Sequence, residues 1–196
     1  MGILKKLNCC LCKKELRVTR RTKLQNGEYI CDECRRATHP YAHLDRCNKE
    51  EVQSMILQMQ KDEKLFEDNK VSMEKVHFVC GIHKYTLYTD EYEKVFVIDT
   101  IETEMFKYKP IFQVNQVKAY SHINTEKMSV NDEGIRYVTI VAKLDDKGKP
   151  RIYYVKFLYD NPKIQKVKIR FEATYVKEAR AFCKALNTFI QKNKVE

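Results

Sequence analysis

Apolar residues first follow a helical period in the stretch that begins at Asn48. They recur there every three or four positions through about residue 69, which predicts an amphipathic helix. Asn48 is the expected N-cap, since Glu50 and Glu51 then lie in the first turn, where the helix dipole favours carboxylates. The apolar stripe, which we interpret as a packing face rather than a partner-binding surface, consists of Val52, Met55, Ile56, Met59, Leu65 and Phe66.

Beyond about residue 71 the period falls to two, which predicts β-strands. The alternation is clearest near the end of the chain, where Val167, Ile169 and Phe171 share one face and basic residues occupy the other. Turn-forming Asp, Asn, Gly and Pro residues separate the apolar segments. The predicted strands are residues 76–80, 84–89, 94–100, 111–114, 118–121, 135–144, 151–159 and 165–171.

A second amphipathic helix is predicted at residues 175–192, with Thr174 as its N-cap and Cys183 as a core thiol on its apolar face. About seven or eight antiparallel strands followed by one helix indicate an α+β protein. We expect a strongly bent sheet or partly open barrel whose open end the helix covers, which is the pleckstrin-homology-like architecture. An antiparallel sandwich with a peripheral helix is the alternative.

Cysteine spacing carries the strongest chemical signal. Five of the eight cysteines lie in the first 34 residues, where Cys9-x2-Cys12 and Cys31-x2-Cys34 are eighteen residues apart. Two such pairs, each on a tight turn that directs both sulfurs to one ion, predict four thiolate ligands around a structural zinc. A segment of about 40 residues buries too little apolar surface to fold alone, so metal binding would supply the missing stability. We therefore expect one structural Zn²⁺.

Cys10, instead of Cys9, could be the first cysteine of the first pair. Because it would leave a single residue before Cys12, we expect Cys9 to be the ligand and Cys10 to be a spare thiol. A redox-active Cys-x-x-Cys motif is the rival interpretation, but no thioredoxin-like βαβ pattern lies nearby.

His39, His43 and Cys47 follow the second pair at four-residue steps. Together with Cys34 they could supply alternative ligands, or they could form another metal site. In the other interpretation, His39 and Pro40 end a short helix that follows the second pair, and His43 and Cys47 face solvent.

Positive charge is concentrated near the N-terminus. The chain carries 37 Lys and Arg against 27 Asp and Glu, a net charge of +10, and residues 1–47 carry 11 against five. Phosphate contacts need Lys and Arg, so the basic loop at residues 13–23 is a candidate nucleic-acid contact. Tyr29 is the sole aromatic residue between the cysteine pairs, which disfavours base stacking there. The candidate contact residues are Lys13, Lys14, Arg17, Arg20, Arg21 and Lys23.

Other patterns argue against several classes of protein. No apolar run approaches 18 residues and the start of the chain lacks a signal-peptide pattern, so we expect a cytoplasmic protein without a membrane span. Metalloprotease, serine-hydrolase and phosphate-loop motifs are absent from the sequence. His77 and Cys80 are an odd number of positions apart, which places them on opposite faces of a strand. We therefore expect neither an enzyme nor a small-molecule substrate.

Residues 9–16 (CCLCKKEL) and 27–34 (GEYICDEC) resemble a short zinc-ribbon domain of unknown function at the start of many bacterial and phage proteins. A helix and a pleckstrin-homology-like β-domain often follow in those proteins, and residues 87–98 (LYTDEYEKVFVI) and 110–120 (PIFQVNQVKAY) are similar to them. The resemblance implies zinc on the four paired cysteines, a compact fold, a phage or prophage origin and no assigned reaction. Lys13 stands where the family commonly has Gly.

These patterns predict three parts: a four-Cys zinc ribbon or treble clef at residues 1–47, a connecting helix at 48–70, and a pleckstrin-homology-like β-domain with a C-terminal helix at 71–196. We expect a non-enzymatic binding or regulatory protein, an adaptor for an unidentified protein partner. Nucleic-acid binding through the basic loop is the alternative. Lipid-headgroup binding is a third hypothesis, for which the first predicted hairpin offers Lys84, with Lys75 just before it.

Overall fold

A computed structural model describes residues 7–17, 19–120 and 137–194, and shows a mixed α+β protein with antiparallel sheets and a C-terminal helix. The α-helices are α1 (Asp32–Arg36), α2 (Lys49–Asn69), α3 (Ile101–Glu104) and α4 (Val176–Asn193). Single 3₁₀ turns lie at Leu44–Arg46, Val114–Gln116 and Ala173–Tyr175. Among the helices described, none is both long enough and apolar enough to cross a bilayer.

Three antiparallel sheets contain the strands. The strands are β1 (Arg21–Lys23), β2 (Tyr29–Cys31), β3 (Glu74–Cys80), β4 (His83–Asp90), β5 (Val95–Asp99), β6 (Ile111–Gln113), β7 (Val117–Lys118), β8 (Val138–Leu144), β9 (Pro150–Tyr159) and β10 (Lys166–Glu172). β1 and β2 form a hairpin, and β3-β4-β5-β6 form a four-stranded sheet in that order. In the third sheet β9 is central, with β10 along one edge and both β7 and β8 along the other.

The main core lies between the two larger sheets and α4. Phe96 of β5 stacks on Phe112 of β6 with ring centroids 5.2 Å apart, and Phe157 of β9 meets Phe112 edge-on at 5.2 Å. From α4, Phe182 contacts Phe171 of β10 at 5.7 Å. All five rings are fully buried, and burial of each contributes on the order of 1.5–3 kcal/mol. Aromatic contacts therefore join both sheets and the helix into one core.

The predicted strands that lie wholly within the described ranges are confirmed. Of the strand predicted at 118–121, the described residues 119 and 120 lie beyond the end of β7. Each predicted strand that lies wholly within the described ranges coincides with an observed strand to within two residues. β10 shows the expected alternation, with Val167, Ile169 and Phe171 buried between exposed basic residues. The ends predicted at residues 121 and 135 lie outside the described residues.

α2 begins where the sequence predicts. The Asn48 side chain accepts the Glu51 N–H at 2.8 Å, and the Glu51 carboxylate accepts the Asn48 N–H at 2.8 Å, which completes a capping box. The buried side chains of α2 are Val52, Met59 and Phe66. The prediction that Leu65 belongs to the packing face is wrong. Leu65 precedes the buried Phe66, and its own side chain is 43% exposed.

The start of α4 differs from the prediction. Thr174 is not the N-cap, because the chain first makes the 3₁₀ turn at Ala173–Tyr175 and no side chain caps α4. Tyr175 packs instead against the loop between β3 and β4, where Gly81 has a φ of +67°. A Cβ atom at Gly81 would lie 2.4 Å from the Tyr175 hydroxyl, so only glycine fits this contact.

The N-terminal segment packs against the strands rather than standing apart from them. The Lys107 N–H donates to the Arg36 carbonyl at 2.7 Å, and the His43 N–H donates to the Lys163 carbonyl at 3.0 Å. The Lys163 ammonium in turn donates to the Arg46 carbonyl at 2.6 Å. These bonds cross the domain boundary expected after residue 47.

Candidate functional site

The first cysteine pair lies on a tight turn. The Cys9 N–H donates to the Lys14 carbonyl at 2.8 Å, and the Lys13 N–H donates to the Cys9 carbonyl at 2.9 Å. Lys13 has a φ of +65°, in the left-handed region that glycine adopts without strain. The turn therefore holds Lys13 in a backbone conformation that favours glycine.

The second pair lies where β2 meets α1. Cys31 is the last residue of β2 and the N-cap of α1, and its Sγ accepts the Cys34 N–H at 3.4 Å. The Cys31 N–H donates to the Cys9 Sγ at 3.4 Å, and the Cys10 N–H donates to the Tyr29 carbonyl at 2.9 Å. These bonds hold the two pairs face to face.

The four predicted sulfur atoms form one cluster. The Sγ atoms of Cys9, Cys12, Cys31 and Cys34 all lie within 4.8 Å of one another. Cys9 Sγ and Cys34 Sγ are 3.8 Å apart, and Cys12 Sγ and Cys31 Sγ are 3.7 Å apart. Thiolates at about 2.3 Å from a tetrahedral ion would be about 3.8 Å from each other. The donor set and its spacing therefore fit a metal ion, which these four residues could hold.

The surroundings of Cys9 favour its thiolate, the form of cysteine that binds metal. Burial raises the pKa of Cys9, but N–H donors of Cys12, Cys31 and Leu11 outweigh burial and lower the pKa to about 7. For Cys34, burial followed by the neighbouring thiols raises the pKa above its ordinary value. Backbone N–H donors from both cysteine pairs therefore converge on the Cys9 sulfur.

Cys10 lies outside the cluster. It is buried in a small core with Leu24, Ile30, Cys47 and Val52, and burial raises its pKa. Because its sulfur is not among the four clustered sulfur atoms, Cys10 is a packing residue.

Within the described residues, the side chains of His39, His43 and Cys47 do not come together as a metal site. Across residues 7–17, 19–120 and 137–194, the paired cysteines are the one group of metal-binding side chains brought together. The expectation that Cys47 faces solvent is also wrong, because its Sγ is buried and donates to the His43 carbonyl at 3.4 Å. His43 itself is exposed, and α1 ends at Arg36, before His39 and Pro40.

His39 is a core residue next to β6. Its ring is 94% buried, since 6% remains exposed, and it meets Phe112 edge-on at 5.5 Å. Its Nδ1 accepts the Tyr41 N–H at 3.3 Å. Burial lowers the pKa of His39 to about 3, so the ring is neutral near pH 7.

The Lys13 turn supports a testable prediction. We expect Lys13→Gly to raise zinc affinity about 5-fold, since a left-handed non-glycine residue costs about 1 kcal/mol and the metal-bound turn requires this conformation. Lys94 also has a positive φ, +53°, but lies between β4 and β5. Lys94→Gly should therefore leave zinc affinity unchanged in chelator-competition titrations. Equal or weaker zinc binding by Lys13→Gly would contradict the prediction.

The basic loop keeps several charges unneutralised. Lys14 pairs with Glu33 at 2.9 Å, and the Arg21 guanidinium lies 4.7 Å from the centre of the Tyr29 ring. Lys13 Nζ donates to the Cys10 carbonyl at 3.2 Å. Side chains of the loop that have no ion-pair or hydrogen-bond partner in the described parts of the chain are Arg17, Arg20 and Lys23.

Two arginines that the sequence did not assign to the contact surface extend this loop. A hollow of about 320 Å³ is lined by Arg20 and Arg21 from the loop and by Arg35 and Arg36 from α1. The hollow also contains Asp32, which binds Arg35 at 2.8 Å and Arg36 at 2.9 Å. With four guanidinium groups and one carboxylate, this hollow carries a net positive charge. We call it the arginine hollow. In the sequence, the adjacent Arg35 and Arg36 were the signal from which this extension of the basic surface could have been predicted.

A larger groove lies between α2 and the strands. Its volume is about 720 Å³, and its walls come from α2, from β6 and the turn after it, and from residues 159–164 at the end of β9. His39 lines the groove from the N-terminal segment. Sequence reasoning could not find this groove, because its walls are distant in the chain and come together through packing.

The outer edge of β6 borders this groove, and its N–H groups are already bound. The Lys109 N–H donates to the Glu63 carboxylate at 2.6 Å, and the Gln113 N–H donates to the Tyr159 hydroxyl at 3.1 Å. Between them, burial raises the pKa of the Asp62 carboxyl group, and the Gln58 amide and the Ile111 N–H partly offset this rise. Side chains therefore occupy the positions at which another strand would pair.

Cys80 and His77 do not face each other on β3. Cys80 is buried and His77 is exposed on β3, in agreement with opposite faces of a strand. Burial raises the pKa of Cys80 to about 11, and His77 Nδ1 lies 3.0 Å from the Thr86 hydroxyl. A protonated buried thiol is a poor nucleophile.

The fold and the cluster define a class: a mixed α+β protein with a four-cysteine cluster that could hold a metal ion. Comparison of the chain with protein-family models, curated proteins and solved structures gave no match. Function is therefore inferred from the geometry of the chain itself.

Proposed function

We propose that the protein is a non-enzymatic zinc-containing adaptor that binds a protein partner. Cys9, Cys12, Cys31 and Cys34 would hold one structural Zn²⁺, and tetrahedral four-thiolate spacing favours this ion. When bound, the ion supplies folding free energy to a segment with a small core. Four protein ligands leave no open position, which favours a structural over a catalytic role.

The finer architecture of this proposal follows the order of elements. A turn, a hairpin and a short helix that begins at Cys31 are typical of a treble clef. A four-stranded sheet, a second sheet centred on β9 and the C-terminal α4 favour a pleckstrin-homology-like β-domain. We interpret α2 as the connection between these two parts.

The groove between α2 and the strands is the observation that carries the adaptor proposal. A concave site of about 720 Å³ with polar and apolar walls is in the size range that specific ligands occupy. Its walls come from several elements, and the contacts of the N-terminal segment with the strands hold them together.

Nucleic-acid binding is the second candidate, and the arginine hollow favours it. Arginine forks bind phosphate oxygens bidentately, and Arg20 has no competing carboxylate partner in the described parts of the chain. Asp32 partly neutralises Arg35 and Arg36, which leaves the loop arginines as the stronger phosphate ligands.

One pair of measurements separates the two candidates. We expect the zinc-loaded chain to retain a specific protein from a lysate at about 0.5 M salt, where the Debye length is only a few ångströms. We expect it to bind fluorescent 20-nucleotide single-stranded and duplex DNA probes weakly, without dependence on Arg20. A protein partner that dissociates as soon as salt is raised would contradict the adaptor.

The second candidate makes the opposite prediction for the DNA probes. Four phosphate contacts would lower affinity on the order of 100-fold between about 50 and 200 mM salt. Arg20→Glu would weaken binding and flatten this dependence, whereas Arg180→Glu at an exposed position of α4 is the charge-matched control. Loss of binding in the Arg20 variant alone would replace the adaptor proposal with nucleic-acid binding.

A further inference from the structure

We propose that the groove between α2 and β6 binds an extended basic segment of the protein partner: His39 and Tyr159 donate to main-chain carbonyls, and Glu50 and Asp62 bind a Lys or Arg side chain. This inference rests on the proposed adaptor function and names the chemistry that the partner presents.

The length of the groove favours an extended peptide. Its α2 wall runs from Glu50 to Asp62, which corresponds to about 18 Å of helix at 1.5 Å per residue. About five extended residues, at roughly 3.3 Å each, span this distance.

The inner wall presents two neutral donors that lack acceptors. Because His39 Nδ1 accepts the Tyr41 N–H, the ring proton is on Nε2, which has no hydrogen-bond acceptor within the described residues. The Tyr159 hydroxyl accepts the Gln113 N–H at 3.1 Å, and its own proton likewise finds no acceptor there. Both side chains are more than nine-tenths buried and line the groove. Peptide carbonyls are acceptors that suit both donors.

The N–H groups of β6 cannot perform this task. The Gln113 N–H already donates to Tyr159, and the Lys109 N–H just before β6 donates to Glu63, so a peptide cannot join the sheet as a further strand through them. Recognition of the peptide main chain therefore falls to the side chains of the inner wall.

The charge of the groove selects a basic segment. Its walls carry three carboxylates, from Glu50, Glu51 and Asp62, against one ammonium, from Lys163. Lys163 pairs with Glu51 at 3.0 Å, which leaves Glu50 and Asp62 without an ion-pair partner in the described parts of the chain. On a chain of net charge +10, this groove is a local region of negative charge. It attracts Lys and Arg and repels phosphate.

Apolar side chains complete the floor. Met55, Met59 and Ile111 line the groove together with Pro162 and Ile164. Methionine adapts its shape to different aliphatic chains, and the methylene stem of Lys or Arg is such a chain.

The test uses the full zinc-loaded chain, labelled with ¹⁵N, and the probe peptide acetyl-Ala-Ala-Lys-Ala-Ala-amide. We expect saturable NMR shifts at groove residues such as Gln58 and Gln113, with a Kd of about 1 mM, which corresponds to about 4 kcal/mol. The same peptide with Glu in place of Lys, and butylamine alone, should each bind at least about 5-fold more weakly.

Asp62→Asn separates recognition from folding. An asparagine oxygen can still accept from Gln58 Nε2, which donates to Asp62 Oδ1 at 2.7 Å, so the fold is retained while the charge is lost. Affinity for the lysine peptide should fall at least 5-fold. Asp68→Asn, on the same helix outside the groove, is the matched control and should bind as the wild type does.

The inference is overturned by unchanged affinity in Asp62→Asn, by equal binding of the glutamate peptide or of butylamine, or by no saturation up to 10 mM peptide. If peptide binding fails while a protein still co-purifies at high salt, the groove assignment is wrong and the adaptor function stands. If only DNA probes bind, both proposals are wrong.

Discussion

Replacing Cys31 with serine is expected to abolish stoichiometric zinc binding. The Sγ of Cys31 faces Cys12 at 3.7 Å and accepts the Cys34 N–H, so its loss removes a ligand and loosens both pairs. Even outer-shell partners of a metal contribute 10–100-fold to affinity, so we expect a loss of more than about 100-fold. Zinc content per chain, measured by atomic emission after dialysis, should fall from one to near zero.

Cys10→Ser is the matched control for this experiment. Cys10 lies outside the cluster although it is adjacent to Cys9, so this variant should retain one zinc per chain. Loss of zinc in Cys10→Ser would overturn the ligand assignment. Retention in Cys31→Ser would show that four thiolates are not required.

The same Cys31 variant tests the two-part organisation. We expect the first 47 residues to lose protection against proteolysis while the strands beyond residue 71 stay folded, because their aromatic core contains no metal ligand. The contacts through Arg36, His43 and Lys163 would weaken and Phe112 would lose its contact with His39, but the aromatic contacts between the strands and α4 would remain. Unfolding of the whole chain would contradict this organisation.

Acid is expected to destabilise the protein through His39. Burial lowers the pKa of His39 to about 3, compared with 6.5 in an unfolded chain. Between these two pH values the unfolded state therefore binds a proton that the folded state does not bind. Stability from this group is present above about pH 6.5 and is lost as pH falls towards 3. The expected slope approaches 1.4 kcal/mol per pH unit, or about 2 kcal/mol between pH 6.5 and 5.

The measurement is the free energy of unfolding at pH 7.5, 6.5 and 5, with zinc saturating at each pH. His39→Asn keeps an acceptor for the Tyr41 N–H but cannot titrate in this range, so its slope should be shallower by about 1.4 kcal/mol per unit. His43→Asn removes an exposed histidine and should keep the wild-type slope. Equal slopes in all three proteins would show that His39 does not control acid sensitivity.

Features with local causes were predictable from the sequence. The capping box of Asn48 and Glu51 spans four residues, and the alternation of β10 is visible residue by residue. The cysteine pairs belong to the same category, because a two-residue gap keeps two sulfur atoms close enough to bind one ion. Spacing alone therefore predicted which four sulfurs the structure brings together.

Features that depend on packing between distant segments were not predictable. His39 and Cys47 look like candidate ligands in the sequence, but Phe112 and Val52 bury them in separate cores. The groove, likewise, exists only because α2 lies along β6. The pattern of apolar residues in one segment contains no information about the surface that another segment presents to it.

The bound outer edge of β6 has a consequence for self-association. Open strand edges are the templates on which domain-swapped chains and fibrils grow, since each new copy needs a row of unpaired amides. Here Glu63 and Tyr159 bind amides of that row from outside the sheet. The chain can therefore keep a recess beside β6, deep enough for another molecule, without leaving this edge open to a strand from another copy.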